Sequence, residues 1–280
     1  MRAIHWWLLA PLAGCLAAAA ASGQDPRQFV QKAVTNELAK DEVDHSHWIF
    51  FEVDQKPEHP VRQWVALTSN GNLRRIIQID GQTLSPAQQQ QRMDSYLADS
   101  GAQTKGRKSE AHDDREATEM LELLPKAFIW TNEGEKGTDT VLHFKPDPSF
   151  RPPDLESKVF AAMEGDMRVD TKQLRIASIK GKLIQDVKIW GGVLGTLDSG
   201  GTFDVERRET GSGIWQITET HVHIQGHALI FKNISEQEDD VKSDFRELPA
   251  SITMQQVKND LLQEGRDGER ASAQNPRGTK

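Results

Sequence analysis

His47-Trp-Ile-Phe-Phe-Glu-Val53, Val61-Arg-Gln-Trp-Val-Ala-Leu-Thr68 and Leu73-Arg-Arg-Ile-Ile-Gln-Ile-Asp80 are three runs rich in β-branched and aromatic residues. Such runs form strands because branched and flat side chains pack well on a pleated surface. Ser69-Asn70-Gly71-Asn72 separates the last two and marks a tight hairpin, since Asn and Gly tolerate the positive φ that such turns demand. Asp80-Gly81 closes the unit. The runs do not alternate apolar with polar. Ile49, Phe51 and Val53 fall on one face, and Trp48 and Phe50 on the other. Leu183 to Trp190 behaves the same way, with Leu183, Val187 and Ile189 opposing Ile184 and Trp190. A half-solvated sheet would be polar on one side. Here both faces call for burial.

Working outward, Asp25-Pro26-Arg27-Gln28 combines an N-cap acid, a first-turn proline and a capping-box glutamine. Phe29, Val30, Ala33, Val34 and Leu38 then give a helical stripe that ends in the charged run Lys40 to Asp44. Ser85-Pro86-Ala87-Gln88 repeats the start signal for a glutamine-rich helix to about Ala98. Gly101 to His112 is polar without apolar period and reads as a mobile loop. Ala117, Met120, Leu121 and Leu124 mark a short helix capped by Asp113 to Glu116.

Further strands are expected over Ala127–Asn132, Thr140–Lys145, Met167–Asp170, Gln173–Ile179, Leu183–Trp190, Gly201–Glu209, Ile214–Ile224 and His227–Ile234. A helix from Asp154 to Met163 stops at Gly165. Ser251 to Gln263 closes the domain as a helix, with Met254, Val257 and Leu261 on one side and Gly265 as its stop. About eleven strands in near-consecutive order, joined by short turns, argue for an antiparallel arrangement. The fold class is α+β and mainly antiparallel β: a curved meander sheet or a half-open β-barrel with a few covering helices.

The chain has 280 residues, 36% hydrophobic and 27% charged, with a net charge of −8. An acidic domain lacks the basic footprint that nucleic acids or anionic membranes require. The N-terminus reads as a bacterial-type signal peptide over residues 1–23: Arg2 supplies the positive region, Trp6–Ala10 and Leu12–Ala21 the apolar stretch, and Ala19-Ala20-Ala21-Ser22 the cleavage composition. Leu12-Ala13-Gly14-Cys15 also fits a lipobox, which would acylate Cys15 and tether the domain to a membrane. The apolar residues after Cys15 favour ordinary cleavage. Cys15 is the only cysteine, so the exported domain has no disulfide and must rely on its core. The expected organisation is a leader over 1–23, one β-rich domain over 24–264 and a disordered, nearly apolar-free tail over 265–280. Exported here means periplasmic, or membrane-anchored if Cys15 is acylated.

Five of the seven tryptophans fall after the leader: Trp48, Trp64, Trp130, Trp190 and Trp215. Helices can cover one sheet face, and something must occupy the other. Either the aromatics fill a large core, or they line a cavity in a curved sheet. Trp48, Phe50, Trp64, Trp190 and Trp215 are the candidate lining residues.

The element order, with Gly165-Asp166-Met167-Arg168-Val169-Asp170, Leu174-Arg175-Ile176, Lys180-Gly181-Lys182-Leu183, Gly191-Gly192-Val193-Leu194-Gly195, Gly200-Gly201-Thr202-Phe203 and Trp215-Gln216-Ile217, resembles the periplasmic lipoprotein-carrier fold. That fold serves outer-membrane lipoprotein-sorting proteins and the sensor domain of periplasmic sigma-factor regulators. The resemblance spans roughly residues 45–235. It implies a half-open barrel with a helical lid, and a lipid or lipidated protein as ligand.

Residues that could carry chemistry are few. His45-x-His47 and His221-x-His223 sit at strand spacing and could offer zinc two imidazoles, but Val222 and Ile224 claim the opposite face, which leaves the histidines to solvent. Gly191-Gly192 to Gly200-Gly201 does not match a phosphate loop, and Gly211-Ser212-Gly213 is too short for a nucleophile elbow. Asp113-Asp114 and Asp239-Asp240 read as solvated charge. The expectation is a non-catalytic domain, without cofactor or metal, that binds a lipid, lipidated or other apolar ligand. The alternatives are an envelope interaction or scaffold domain with a filled core, and a histidine-dependent metal hydrolase.

Overall fold

The computed structural model describes residues 25–189, 195–211, 213–227 and 236–265. The leader with Cys15, Trp190 with the glycines Gly191 and Gly192, most of the expected strand at 227–234 and the tail from residue 266 onward lie outside the described residues.

Eleven strands form one antiparallel sheet that is not closed into a barrel. The first group is β1 (His47–Asp54), β2 (Val61–Leu67), β3 (Leu73–Ile79) and the two-residue β4 (Gln82–Thr83). The second is β5 (Phe128–Lys136), β6 (Asp139–Pro146), β7 (Met163–Asp170) and β8 (Arg175–Leu183). Short strands β9 (Val187–Ile189), β10 (Gly195–Leu197) and β13 (Gly226–His227) make a separate three-stranded sheet. β11 (Thr202–Gly211), β12 (Ile214–Ile224) and β14 (Glu236–Leu248) complete the large one. Its order is β4-β3-β2-β1-β14-β12-β11-β8-β7-β6-β5. Two local meanders are thus joined through β14, which pairs with β1 on one side and β12 on the other.

β14 is the main departure from the sequence expectation. Glu-Gln-Glu-Asp-Asp-Val-Lys-Ser-Asp-Phe-Arg-Glu-Leu carries too many charges to suggest an interior strand, and Asp239-Asp240 reads as solvated. In the sheet several of these charges have partners. Lys242 Nζ lies 2.8 Å from Asp240, which is buried, and Asp239 takes two histidines from β12. Charge compensation replaces apolar burial along this strand.

Five helices cover the sheet: α1 (Pro26–Val43), α2 (Pro86–Ala98), α3 (Ser100–Ala127), α4 (Leu155–Phe160) and α5 (Met254–Gln263). Their starts are written in the sequence. Asp25 caps α1 by accepting from the Arg27 amide at 3.0 Å, and Ser85–Gln88 and Thr253–Gln256 form capping boxes on α2 and α5. The stretch from Gly101 to His112 is helical and not a loop. Its exposed residues are polar or small and its half-buried ones are Ala102, Gln103, Gly106 and Glu110, so no apolar period betrays it. It is held by the Asp99 cap on the Ala102 amide and continues straight into the apolar turn around Leu124. α4 is shorter than expected, and Gly165 lies inside β7 rather than at a helix end. Leu183–Trp190 is also not one strand: β8 ends at Leu183, Ile184 is exposed, and β9 begins at Val187.

The helices cover opposite faces at opposite ends. α2 and α5 pack on β2 and β3 around Ile49, Ala66, Leu73, Met93, Leu248, Val257 and Leu261. α1, α3 and α4 cover the other face around Phe128, Trp130, Leu142, Phe144, Met163, Met167 and Ile176. The hairpin turns at Gly71, Gly137 and Gly213 all use positive φ.

α1 is locked down by a buried ion cluster. Glu37 is fully buried; its Oε2 accepts from Arg175 Nε at 2.9 Å and lies 2.7 Å from Arg207 Nη1, while Oε1 accepts from the Ile176 amide at 2.5 Å. Asp41, one turn on, sits 3.7 Å from Arg175, and burial lifts its carboxyl above the usual aspartate range.

Candidate functional site

Strands β5–β8 present two different surfaces, one on each face of the sheet. On the α1 face the floor is apolar. Phe128 and Phe144 approach to 4.7 Å between ring centres, Phe144 and Trp130 to 5.4 Å, and Phe160 of α4 stands edge-on to Phe128 at 5.0 Å. Trp130 Nε1 donates to the Leu124 carbonyl at 3.0 Å, which ties the floor to the last turns of α3. These contacts fill the interior at that end.

The candidate lining residues do not converge on one space. Trp48 and Phe50 project from β1 on the α1 face, each 3% exposed, and pack with Phe245, Val65 and Ile214. Trp64 projects on the opposite face, against Phe51 at 5.3 Å and the α2–α5 cluster. Trp215, half-buried, donates from Nε1 to the Gln173 side chain at 3.1 Å. Trp190 lies outside the described residues. The histidine pairs also part company. His45 is exposed, whereas His47 is buried and accepts from the Ser69 amide at 3.1 Å. His221 and His223 are partly exposed on the face away from α1, both bonded to Asp239, while Ile224 is buried opposite them.

A half-open cleft of about 420 Å³ lies between α3 and α4. Met120, Leu123 and Pro153 give it apolar walls. Leu121 and Leu124 of α3, with Leu155 and Phe160 of α4, belong to the main core just beneath. Glu116, Glu119, Glu122, Asp154 and Glu156 surround the opening, with Lys126 as the one cation. The cleft needs α3 to continue past residue 112 and α4 to return beside it, so no short stretch of sequence reveals it.

On the face away from α1, six strands place one residue each in a continuous row. His143, Asp166, Lys180, Asp204, His221 and Asp239 are directly paired neighbours across β6, β7, β8, β11, β12 and β14. The bonds run along it. His143 Nδ1 meets Asp166 at 2.9 Å, Lys180 Nζ meets Asp204 at 2.9 Å and Glu206 at 2.8 Å, and His221 Nδ1 meets Asp239 at 2.6 Å. Hydrogen bonds to Asp166 and Asp239 hold the protonated forms of His143 and His221, so both titrate above the usual histidine range. The same bonds from His221 and His223 depress Asp239, and Glu206 with Asp204 raises Lys180. A shallow groove crosses the row above Gly165 and Gly181. Acidic and basic side chains alternate along the row, each beside an opposite partner.

Among the described residues no three His, Cys, Asp or Glu side chains are placed to hold a metal ion, and no helix is long and apolar enough to cross a membrane. No protein-family model, curated protein or solved structure matches this chain.

Proposed function

We propose that the chain is an exported, non-catalytic binding domain that takes an apolar, acyl-bearing ligand at the cleft between α3 and α4. The observation that carries this reading is the cleft itself. Its volume of about 420 Å³ falls in the range of small-molecule sites, and its Met120 and Leu123 walls adjoin the apolar core under α1. Export rests on the leader read in residues 1–23. A lipid or a lipidated protein is the ligand class that the carrier-fold resemblance implies.

The test is direct. An acyl-chain fluorescent probe and native mass spectrometry on the purified chain should show a bound or bindable ligand, and Leu123→Arg should abolish uptake while circular dichroism stays unchanged. Absence of any uptake by the wild-type chain sinks the reading.

A second reading, an envelope interaction domain with a filled core, draws on Trp48 and Phe50, each 3% exposed. It expects no displaceable ligand and a partner recovered by crosslinking in the periplasm.

A further inference from the structure

We infer that the α3–α4 cleft selects a cationic amphiphile, an apolar chain ending in an ammonium group, over an anionic one. The inference rests on the binding role proposed above and names the ligand class of that same cleft.

The geometry is that of an apolar slot with a negative collar. Glu116, Glu119 and Glu122 recur every three residues on α3, the spacing that stacks side chains on one side of a helix. Met120 and Leu123 interleave with them and turn their apolar chains to the same slot. Glu156 faces them from α4.

Two of the five carboxylates have partners. Glu116 lies 3.2 Å from His112, and Asp154 accepts from the Ser157 amide at 2.7 Å as the cap of α4. Glu119, Glu122 and Glu156 have no ion pair or hydrogen bond among the described residues. Among the described residues that line the cleft, Lys126 is the only cation. The nearby Lys158 donates to the Lys188 carbonyl at 2.6 Å, and Arg151 to the Pro148 and Phe150 carbonyls, so neither head group pairs with a carboxylate of the collar.

Unpaired carboxylates beside a low-dielectric wall concentrate a negative potential at the opening. A fatty acid or a phosphate headgroup would set its own charge against them. An alkylammonium would bury its chain on Met120 and Leu123 and leave its head among Glu119, Glu122 and Glu156. In the outer charged row, by contrast, Asp166, Asp204 and Asp239 each have an ion-pairing partner.

The experiment is calorimetric titration of the full chain with three twelve-carbon amphiphiles below their micelle concentrations: dodecyltrimethylammonium, dodecyl maltoside and dodecanoate. The expected result is binding of the cationic probe about tenfold or more tighter than dodecanoate at low salt, with the gap shrinking at high salt. Glu119→Gln with Glu122→Gln should close the gap and leave dodecyl maltoside binding unchanged. Glu133→Gln with Glu135→Gln, remote on β5, should leave the gap intact, which separates the cleft from the general acidity of the chain. Equal or tighter binding of dodecanoate overturns the inference while the binding role stands; a cationic preference that survives in Leu123→Arg places the site outside the cleft and overturns both. If none of the three binds, the binding role falls, and this inference with it.

Discussion

Strands β6, β7, β8 and β11 carry two rows of side chains one residue apart, and the rows could hardly differ more. His143, Asp166, Lys180 and Asp204 form one. Leu142, Met167, Ile179 and Val205, equally in register, form the other. The same hydrogen-bonded backbone supports both. The apolar row runs into the core, with Leu142 and Met167 fully buried and Ile179 and Val205 half-buried. The charged row stands in water, and its bonds compete with hydration and salt. Burial, not the number of contacts, should therefore decide what each row is worth.

The largest effects should come from under α1. Phe144→Ala removes a ring that touches Phe128 and Trp130 and should cost about 3–5 kcal/mol. Glu37→Ala leaves Arg175 and Arg207 facing each other without their shared carboxylate and should cost a similar amount, about 3–5 kcal/mol. Urea unfolding measures both. A loss below 1 kcal/mol in Phe144→Ala would break the contrast between the rows, as an order-of-magnitude bound on truncating a buried ring.

Gly165 comes next. It pairs with Gly181 on the apolar face, and a Cβ there would meet the Lys180 carbonyl at 1.9 Å. The ring of Phe203 fills the space over Gly181. Gly165→Ala should cost about 1–3 kcal/mol by overpacking, with the shift visible in the thermal midpoint. A neutral outcome would mean that β7 and β8 can separate at this point.

The charged row should respond to pH, weakly. The raised histidines add stability below about pH 6.5, their unfolded value, and that contribution fades as pH climbs through their folded values. Asp239, depressed, adds stability above about pH 3.9 and loses it as pH falls through its lowered value. The row is therefore worth most between those limits. Because both histidines are about a third exposed, the whole change from pH 6 to 8.5 should stay under about 1 kcal/mol. His143→Gln with His221→Gln should flatten it, and a wild-type profile that is already flat would discard the idea. Smallest of all, Lys180→Ala should cost about 0.5 kcal/mol or less, and less still in high salt.

This contrast also explains what could be read in advance. The three strands from His47 to Asp80, the helix starts at Asp25 and Ser85, and the antiparallel α+β class are local in sequence, and each is found. β14 was not legible, because its charges make sense only beside Glu52, His221 and His223, residues from distant strands. The first half of α3 lacks an apolar stripe because its half-buried side is made of Ala102, Gln103, Gly106 and Glu110, small or polar residues, with Gln103 bonded to the Tyr96 and Leu97 carbonyls. The cleft was invisible for a related reason: its walls come from residues 116–126 and 153–157, which only the packed helices bring together. Aromatic content pointed to Trp48 and Trp64 as partners, yet adjacent strands set them on opposite faces.

The placement of β14 also has a consequence for assembly. Each meander can close its own hairpins as soon as its strands exist. The seam between them cannot, since His47 finds Leu248 only after two hundred intervening residues have been made. Long-range pairings of that kind slow folding. A chain cut before residue 236 would hold two complete hairpin arrays, each ending in a bare strand, β1 in one and β12 in the other. Such unpaired edges recruit other chains, so truncation at this seam should produce aggregation rather than two soluble halves.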